Sequence, residues 1–323
     1  MEPQLDSAGR PRPRLCVLAP TPLLMVEVEP SQDGSDAPPV GADIHLHPGG
    51  QGLWVARMAV SLGAQVTVCG PFGGEVGGVL ATMMAAESLT VRAVTYGAGN
   101  GAYVHDRRGG DRETVAHMAP PSLSRHELDD LYGTVLVEAL ESDVLVVTGA
   151  EPERVVPASF FSRIVRDVRS VGKPVVADLS GAAARAAARE RPTVLKMSHE
   201  EVCAAGLAAD DSLGALRQAA EALGADGVEA MVLSRAGAPA LLVEGGVSRL
   251  VVGPVVTPLD HRGAGDSMTA GIAVGLGRGM AVQDAVRLGA AAGALNVTRR
   301  GLGTGRREQI ERFAGRIEVQ EID

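Results

Sequence analysis

Aromatic residues are scarce in this chain, which has four phenylalanines, three tyrosines and one tryptophan among 323 residues. Its apolar fraction is nonetheless 46%, so a sizeable core has to be built from small aliphatic side chains. The three cysteines, Cys16, Cys69 and Cys203, match neither a C-x-x-C pair nor a disulfide framework. That usage points to a reducing, cytoplasmic setting. No segment runs 18 apolar residues without a charge, and the opening "MEPQLDSAGRPRPR" lacks a signal-peptide core, so no membrane partner is expected. Positive charge is also in deficit. A net charge of -9 argues against nonspecific nucleic-acid binding, which needs a broad basic surface. Basic residues cluster only locally, at Arg107, Arg108 and Arg112 and at Arg299, Arg300, Arg306 and Arg307, and most read as solvated surface arginines.

What is present is an alternation of strands and helices. After a polar tail, "LCVLAP" reads as a buried strand, and "LLMVEVE" and "ADIHLH" alternate apolar and polar residues as strands with one wet face do. From residue 50 the order is helix 51–63, strand "QVTVCG", helix 75–88 and strand "TVRAVTY". A second pair of half-exposed strands, "GAYVHDRR" and "DRETVAH", flanks the turn "RGGD". Alternation then resumes through helices 124–141, 157–171, 181–190, 199–206 and 211–223, and the chain closes with three helices. Such βαβ units predict a mostly parallel sheet. The two insertions, at about 23–47 and 100–117, predict a small sheet over one edge of the core, placed as a lid.

The stretch "HRGAGDSMTAG" carries the chemistry. In parallel α/β sheets ligands bind at the carboxyl ends of strands, where helix N-termini present free N–H groups. Gly263, Ala264 and Gly265 let a backbone approach a phosphate, and Asp266 stands in the first turn, placed to take a proton from an attacking hydroxyl. The alternative makes Asp266 an N-cap and the glycines an ordinary turn.

This stretch resembles the D-T-x-G-A-G-D signature of the ribokinase (PfkB) carbohydrate kinases. "HPGGQGLWVARMAVSLGA" is similar to the family's other, glycine-rich signature, and the likeness runs from about residue 14 to 316. The resemblance implies a single ribokinase-like domain over 14–316, a three-layer α/β/α sandwich of Rossmann type. It also implies transfer of the ATP γ-phosphate to a primary hydroxyl of a sugar or sugar phosphate, with Mg²⁺ and, in some members, a monovalent cation. Asp266 is then the base, and Gly263, Ala264 and Gly265 form the anion hole. "KMSHEE" resembles K-P-N-x-x-E, which places Lys196 near ATP phosphates and Glu201 on magnesium through water. Ser234 and Asn296 fall where the family contacts nucleotide, Gly49, Gly50, Gln51 and Trp54 where it meets the acceptor, and Arg262, in place of a small or apolar residue, is expected to face substrate or phosphate.

The acceptor side departs from the phosphofructokinase-like branch, which the chain otherwise resembles. Met25 stands where an acid grips sugar hydroxyls, Gln51 replaces a lysine, Trp54 an asparagine, and Gly101 falls near a lid arginine's position. An unphosphorylated sugar, a nucleoside, or a noncatalytic regulatory role therefore stay open as alternatives. His45 and His47 share a strand face, with no third metal ligand evident. Half-exposed lid strands also predict a homodimer.

Overall fold

The computed structural model describes residues 12–31, 41–299 and 303–322, so Arg300 and residues 32–40 of the first insertion lie outside the described residues. The chain begins with β1 (Arg14–Leu18), β2 (Leu23–Pro30), β3 (Ala42–Gly49), α1 (Gln51–Ser61), β4 (Gln65–Phe72), α2 (Gly74–Ala86) and β5 (Thr90–Thr95). The hairpin β6 (Gly101–Asp106) and β7 (Glu113–Met118) follows, then α3 (Arg125–Glu141), β8 (Val144–Thr148), α4 (Ala158–Ser170) and β9 (Val175–Asp178). Next come α5 (Gly181–Ala188), β10 (Val194–Ser198), α6 (His199–Ala204), α7 (Leu213–Ala225), β11 (Ala230–Arg235), β12 (Ala238–Glu244) and β13 (Val247–Val252). The last elements are α8 (Ala264–Gly277), α9 (Val282–Asn296), α10 (Arg307–Ala314) and β14 (Glu318–Glu321).

Among the described residues the strands make two sheets. The larger has the order β14-β13-β12-β11-β10-β9-β8-β1-β4-β5. From β11 to β5 every pairing is parallel, and β12, β13 and β14 are added antiparallel at one edge. Strands such as "VLVVT" are buried at every position because both of their faces are covered. Alternate residues divide accordingly: Cys16, Leu18, Leu145 and Val147 enter one core cluster, whereas Leu15, Val17, Val144 and Val146 enter the other. The first cluster lies against α3, α4, α5 and α7, the second against α1, α8, α9 and α10, which gives three layers. No described helix is long and apolar enough to cross a membrane.

One strand was not foreseen. β14 has the sequence "EVQE", with no apolar alternation, and pairs with β13 only because it closes the sheet edge after the three expected helices. Propensity gives no sign of such a strand.

The smaller sheet, β3-β2-β6-β7, joins the two insertions. Register assigns its faces: Val26 pairs with Leu46 and Val104, and Val28 with Ile44, whereas Met25 pairs with His47 and Tyr103, and Glu27 with His45 and His105. The alternation read from sequence is present, but its orientation is reversed at Glu27. This acid is only 9% exposed, while Ile44 and Leu46 on the opposite face are 66% and 46% exposed. Ile44 and Leu46 point outward, and the inward face mixes Glu27 with buried Leu23 and Met25.

Candidate active site

At the end of β13 the chain runs without regular structure to Gly263, whose φ of 68° places it in the left-handed region that glycine adopts without strain. It caps α8 without a side-chain hydrogen bond, and the first helical bond runs from the Ser267 N–H to the Gly263 carbonyl. Ala264 and Gly265 therefore begin the helix with N–H groups that have no intrahelical acceptor, at the positive end of its dipole. A Cβ on Gly265 would lie 2.7 Å from the Lys196 ammonium. The bare backbone there lets the loop rest directly on a buried cation.

That cation is held from the sheet. Lys196 on β10 and Asp178 at the end of β9 are register partners, 4% and 1% exposed, with Nζ 3.1 and 3.2 Å from the two carboxylate oxygens. The Thr269 hydroxyl, one turn beyond Gly265 on α8, donates to Asp178 at 2.6 Å. Burial pulls the Lys196 pKa down, but the charges of Asp178, Asp266 and Glu201 outweigh it and the amine stays charged. Asp266, in the first turn of α8, meets the opposite balance. Burial raises its pKa first, the charge of Asp178 adds to that, Lys196 opposes, Glu201 raises it again, and the carboxyl titrates at about 7. Asp178 already takes most of the ammonium's field, so Asp266 is a carboxyl poised to hold or release a proton near neutrality.

The residues expected on the nucleotide side are dispersed around this center. Glu201 closes a capping box on α6: its Oε2 accepts the Ser198 N–H at 2.7 Å, and the Ser198 hydroxyl accepts the Glu201 N–H at 3.1 Å. Ser234 pairs with Ser198 across β10 and β11, at the same carboxyl ends. Asn296 is 1% exposed and bridges two backbone groups, donating to the Arg262 carbonyl at 2.8 Å and accepting from the Gly303 N–H at 3.1 Å. It braces the segment before the glycine loop.

The residues expected on the acceptor side enter through α1. Gly50 caps that helix at φ 100°, where a Cβ would meet the Thr21 carbonyl at 2.7 Å, and a Cβ on Gly49 would meet Met25 at the same distance. Gln51 is tied to the strand ends, its Oε1 accepting from the Gly149 N–H at 2.9 Å and its Nε2 lying 3.5 Å from the Asp178 carbonyl. Trp54 lies one turn further, packed with Leu23, Met25 and Tyr103 of the small sheet. Tyr103 in turn stacks on His117, with ring centroids 4.1 Å apart.

Arg262 belongs to an ion-pair network between the small sheet and the glycine loop. Its Nε donates to Asp260 at 2.9 Å, and its Nη1 lies 3.5 Å from Glu27. Arg107 and Arg112, from the β6–β7 hairpin, also reach Glu27, at 3.6 and 3.7 Å. Burial pushes the Asp260 carboxyl up, but the hydrogen bonds and charge of Arg262 outweigh it and hold it at about 2. Two of the arginines read as surface groups thus meet Arg262 at one buried acid.

Sequence reasoning missed Asp178, Thr269 and Glu27. Asp178 had a signal, a charged residue ending the apolar run "PVVAD". So did Lys196, one of the chain's two lysines among its arginines, inside the apolar strand "VLKMS". Both break a pattern that burial on two faces otherwise enforces.

Comparison with known proteins gives one consistent answer. A family described as "pfkB family carbohydrate kinase" matches residues 23–309. The ATP-dependent 6-phosphofructokinase isozyme 2 of Mycobacterium tuberculosis is 28% identical over 271 residues, covering 82% of this chain and 78% of that protein. The 1-phosphofructokinase of Vibrio cholerae is 27% identical over 282 residues, covering 86% and 87%. Among solved structures, phosphofructokinase-2 of Escherichia coli in complex with potassium superimposes with a TM-score of 0.77 at 24% identity, covering 94% of this chain and 98% of that one.

Proposed function

Because the chain belongs to the pfkB family of carbohydrate kinases, and is a phosphotransferase with an alcohol acceptor, we propose that Asp266 deprotonates the acceptor hydroxyl as ATP donates its γ-phosphate. The observation that carries this reading is the juxtaposition at the start of α8. A carboxyl titrating at about 7 follows directly on a bare N–H loop seated on a buried ammonium. Gly263, Ala264 and Gly265 stabilize charge developing on the transferring group, and Lys196 adds its field from beneath without leaving Asp178. Its role is thereby shifted from gripping ATP to supporting the loop.

The donor set suits magnesium held mainly by phosphates and water. Among the described residues no three His, Cys, Asp or Glu side chains are grouped to hold a metal by themselves. Both Asp178 oxygens are engaged, and Glu201 keeps one oxygen outside its capping box for a metal-bound water. Bound there, magnesium would neutralize phosphate charge.

The acceptor we favor is a sugar phosphate, supported by the names of the relatives and by Arg107, Arg112 and Arg262 gathered beside the glycine loop. The small sheet is then the lid. A second reading, an acceptor with an apolar or planar face such as a nucleoside, is favored by the box of Leu23, Met25, Trp54 and Tyr103. The outward apolar face of Ile44, Leu46 and Met118 supports a homodimer through the lid strands, to be checked by light scattering. Free Cys16 and Cys69, with sulfurs 3.8 Å apart and no disulfide, support a cytoplasmic setting, to be checked by fractionation.

The test is ADP release from ATP and Mg²⁺ across sugars, sugar phosphates and nucleosides, with Asp266→Asn beside the wild type. Acceptor-dependent turnover that collapses in the variant is expected. Turnover that survives it removes Asp266 as the base.

A further inference from the structure

At the opposite end of α8 from Asp266, a cavity of about 970 Å³ opens between the end of α8, the start of α9 and α10. From Asp266 to Gly277 the helix rises about 17 Å at 1.5 Å per residue, so this cavity is separate from the phosphotransfer site. Four arginines line it, Arg12, Arg278, Arg287 and Arg307, against two acids, Asp284 and Glu311. In a chain with a net charge of -9, that is a local excess of two positive charges.

The hydrogen bonds show where the excess lies. Glu311 accepts from Arg278 at 2.9 Å and from Arg307 at 2.8 Å, and Arg278 also donates to the Leu62 carbonyl at 2.6 Å, an ordinary cap for the end of α1. Arg287 donates from Nη1 to Asp284 at 2.8 Å, yet its Nε is buried and has no partner. Arg12 forms no ion pair with any described residue. The floor between them includes Leu288 and Ile317, 3% and 5% exposed. A helix cap and pairing with Glu311 account for Arg278 and Arg307, but these account for neither the unpaired donor of Arg287 nor the second excess charge.

We propose that this cavity is a binding site for a small, multiply charged organic anion, a phosphate or polycarboxylate ester or acid. Its charged groups meet Arg12 and Arg287, and its carbon body lies on the apolar floor. Guanidinium groups suit this ligand because their planar donors match phosphate and carboxylate geometry.

The experiment is calorimetric titration of the full chain with pyrophosphate and, separately, with citrate, in metal-free buffer. Three variants accompany the wild type: Arg12→Ala/Arg287→Ala, Arg287→Ala alone, and Gly265→Ala, which obstructs the catalytic loop. Saturable one-to-one binding of at least one probe is expected, weakened about ten-fold or more in the double variant and intact in Gly265→Ala. Tighter pyrophosphate identifies the phosphate class, and tighter citrate the carboxylate class. If the double variant does not fold, Arg287→Ala carries the same expectation with a smaller loss, and unchanged kinase turnover certifies its fold. No saturable binding of either probe overturns the proposal. So does binding that survives removal of the arginines or is lost in Gly265→Ala, since the anion then sits in the catalytic loop.

Discussion

The glycine-loop center and the small sheet hold charge in contrasting ways. Around Lys196 the buried Asp178 carboxylate accepts from the ammonium on the adjacent parallel strand and from the Thr269 hydroxyl of α8, at 2.6 to 3.2 Å. Around Glu27 three arginines share one acid at 3.5 to 3.7 Å, from one hairpin and one loop, with side chains about a quarter exposed. Burial and the charge of Asp178 in the first arrangement raise the Asp266 carboxyl to about 7. On the proposed reading the second rearranges when an acceptor enters, and chemistry and selectivity fall to parts of the molecule with different mechanical character.

The contrast is broken most directly at Asp266. Asp266→Asn is expected to lower kcat about 10²- to 10⁴-fold in a coupled ADP assay while leaving the acceptor KM nearly unchanged. A comparable loss of kcat from a lid substitution would erase the division of labor.

Next in size is the stability of the buried pair. Lys196→Met leaves Asp178 buried without its cation and is expected to cost about 3–5 kcal/mol in urea unfolding. Arg107→Ala, in the half-exposed network, is expected to cost less than about 1 kcal/mol. Equal costs would mean that the two networks are equally stiff.

A third expectation concerns pH. An unprotonated base makes kcat/KM rise with unit slope up to about pH 7 and level off above it. Stability runs the other way. The folded pKa of Asp266 stands above the ordinary value of 3.8, so its contribution is full below about pH 4 and is lost as pH rises through about 7. Asp266→Asn keeps the neutral form throughout. It should therefore exceed the wild type by up to about 4 kcal/mol at pH 8, a gain that disappears below pH 4.

The smallest effect sharpens the lid side. Glu27→Gln leaves Arg107, Arg112 and Arg262 facing one acid fewer. For a phosphorylated acceptor KM should fall a few-fold, more at low salt, with kcat unchanged; for an uncharged acceptor it should not fall.

Much of this center was legible before the fold, for a physical reason. Gly263, Ala264, Gly265 and Asp266 are contiguous, and a glycine loop opening a helix after a strand has few uses. The parallel sheet was legible too, because strands covered on both faces read as unbroken apolar runs. Asp178 and Thr269 lie 91 residues apart and meet only through sheet order, which local patterns do not encode. Glu201 shows another limit. The same acid at the third position of a helix serves a capping box and a metal-bound water alike, so its spacing points to both. At Glu27 alternation gave two faces without saying which was covered, and the inward acid came from tertiary placement.

Trp54 has a use beyond packing. It is the chain's single tryptophan, and it sits half-buried against Met25 and Tyr103, on the acceptor side. Indole emission from this protein is therefore a single-site optical signal. On the proposed reading, acceptor entry and closure of the small sheet change this signal, and both can be followed in stopped flow on the unlabeled protein, with no second fluorophore of the same kind to subtract.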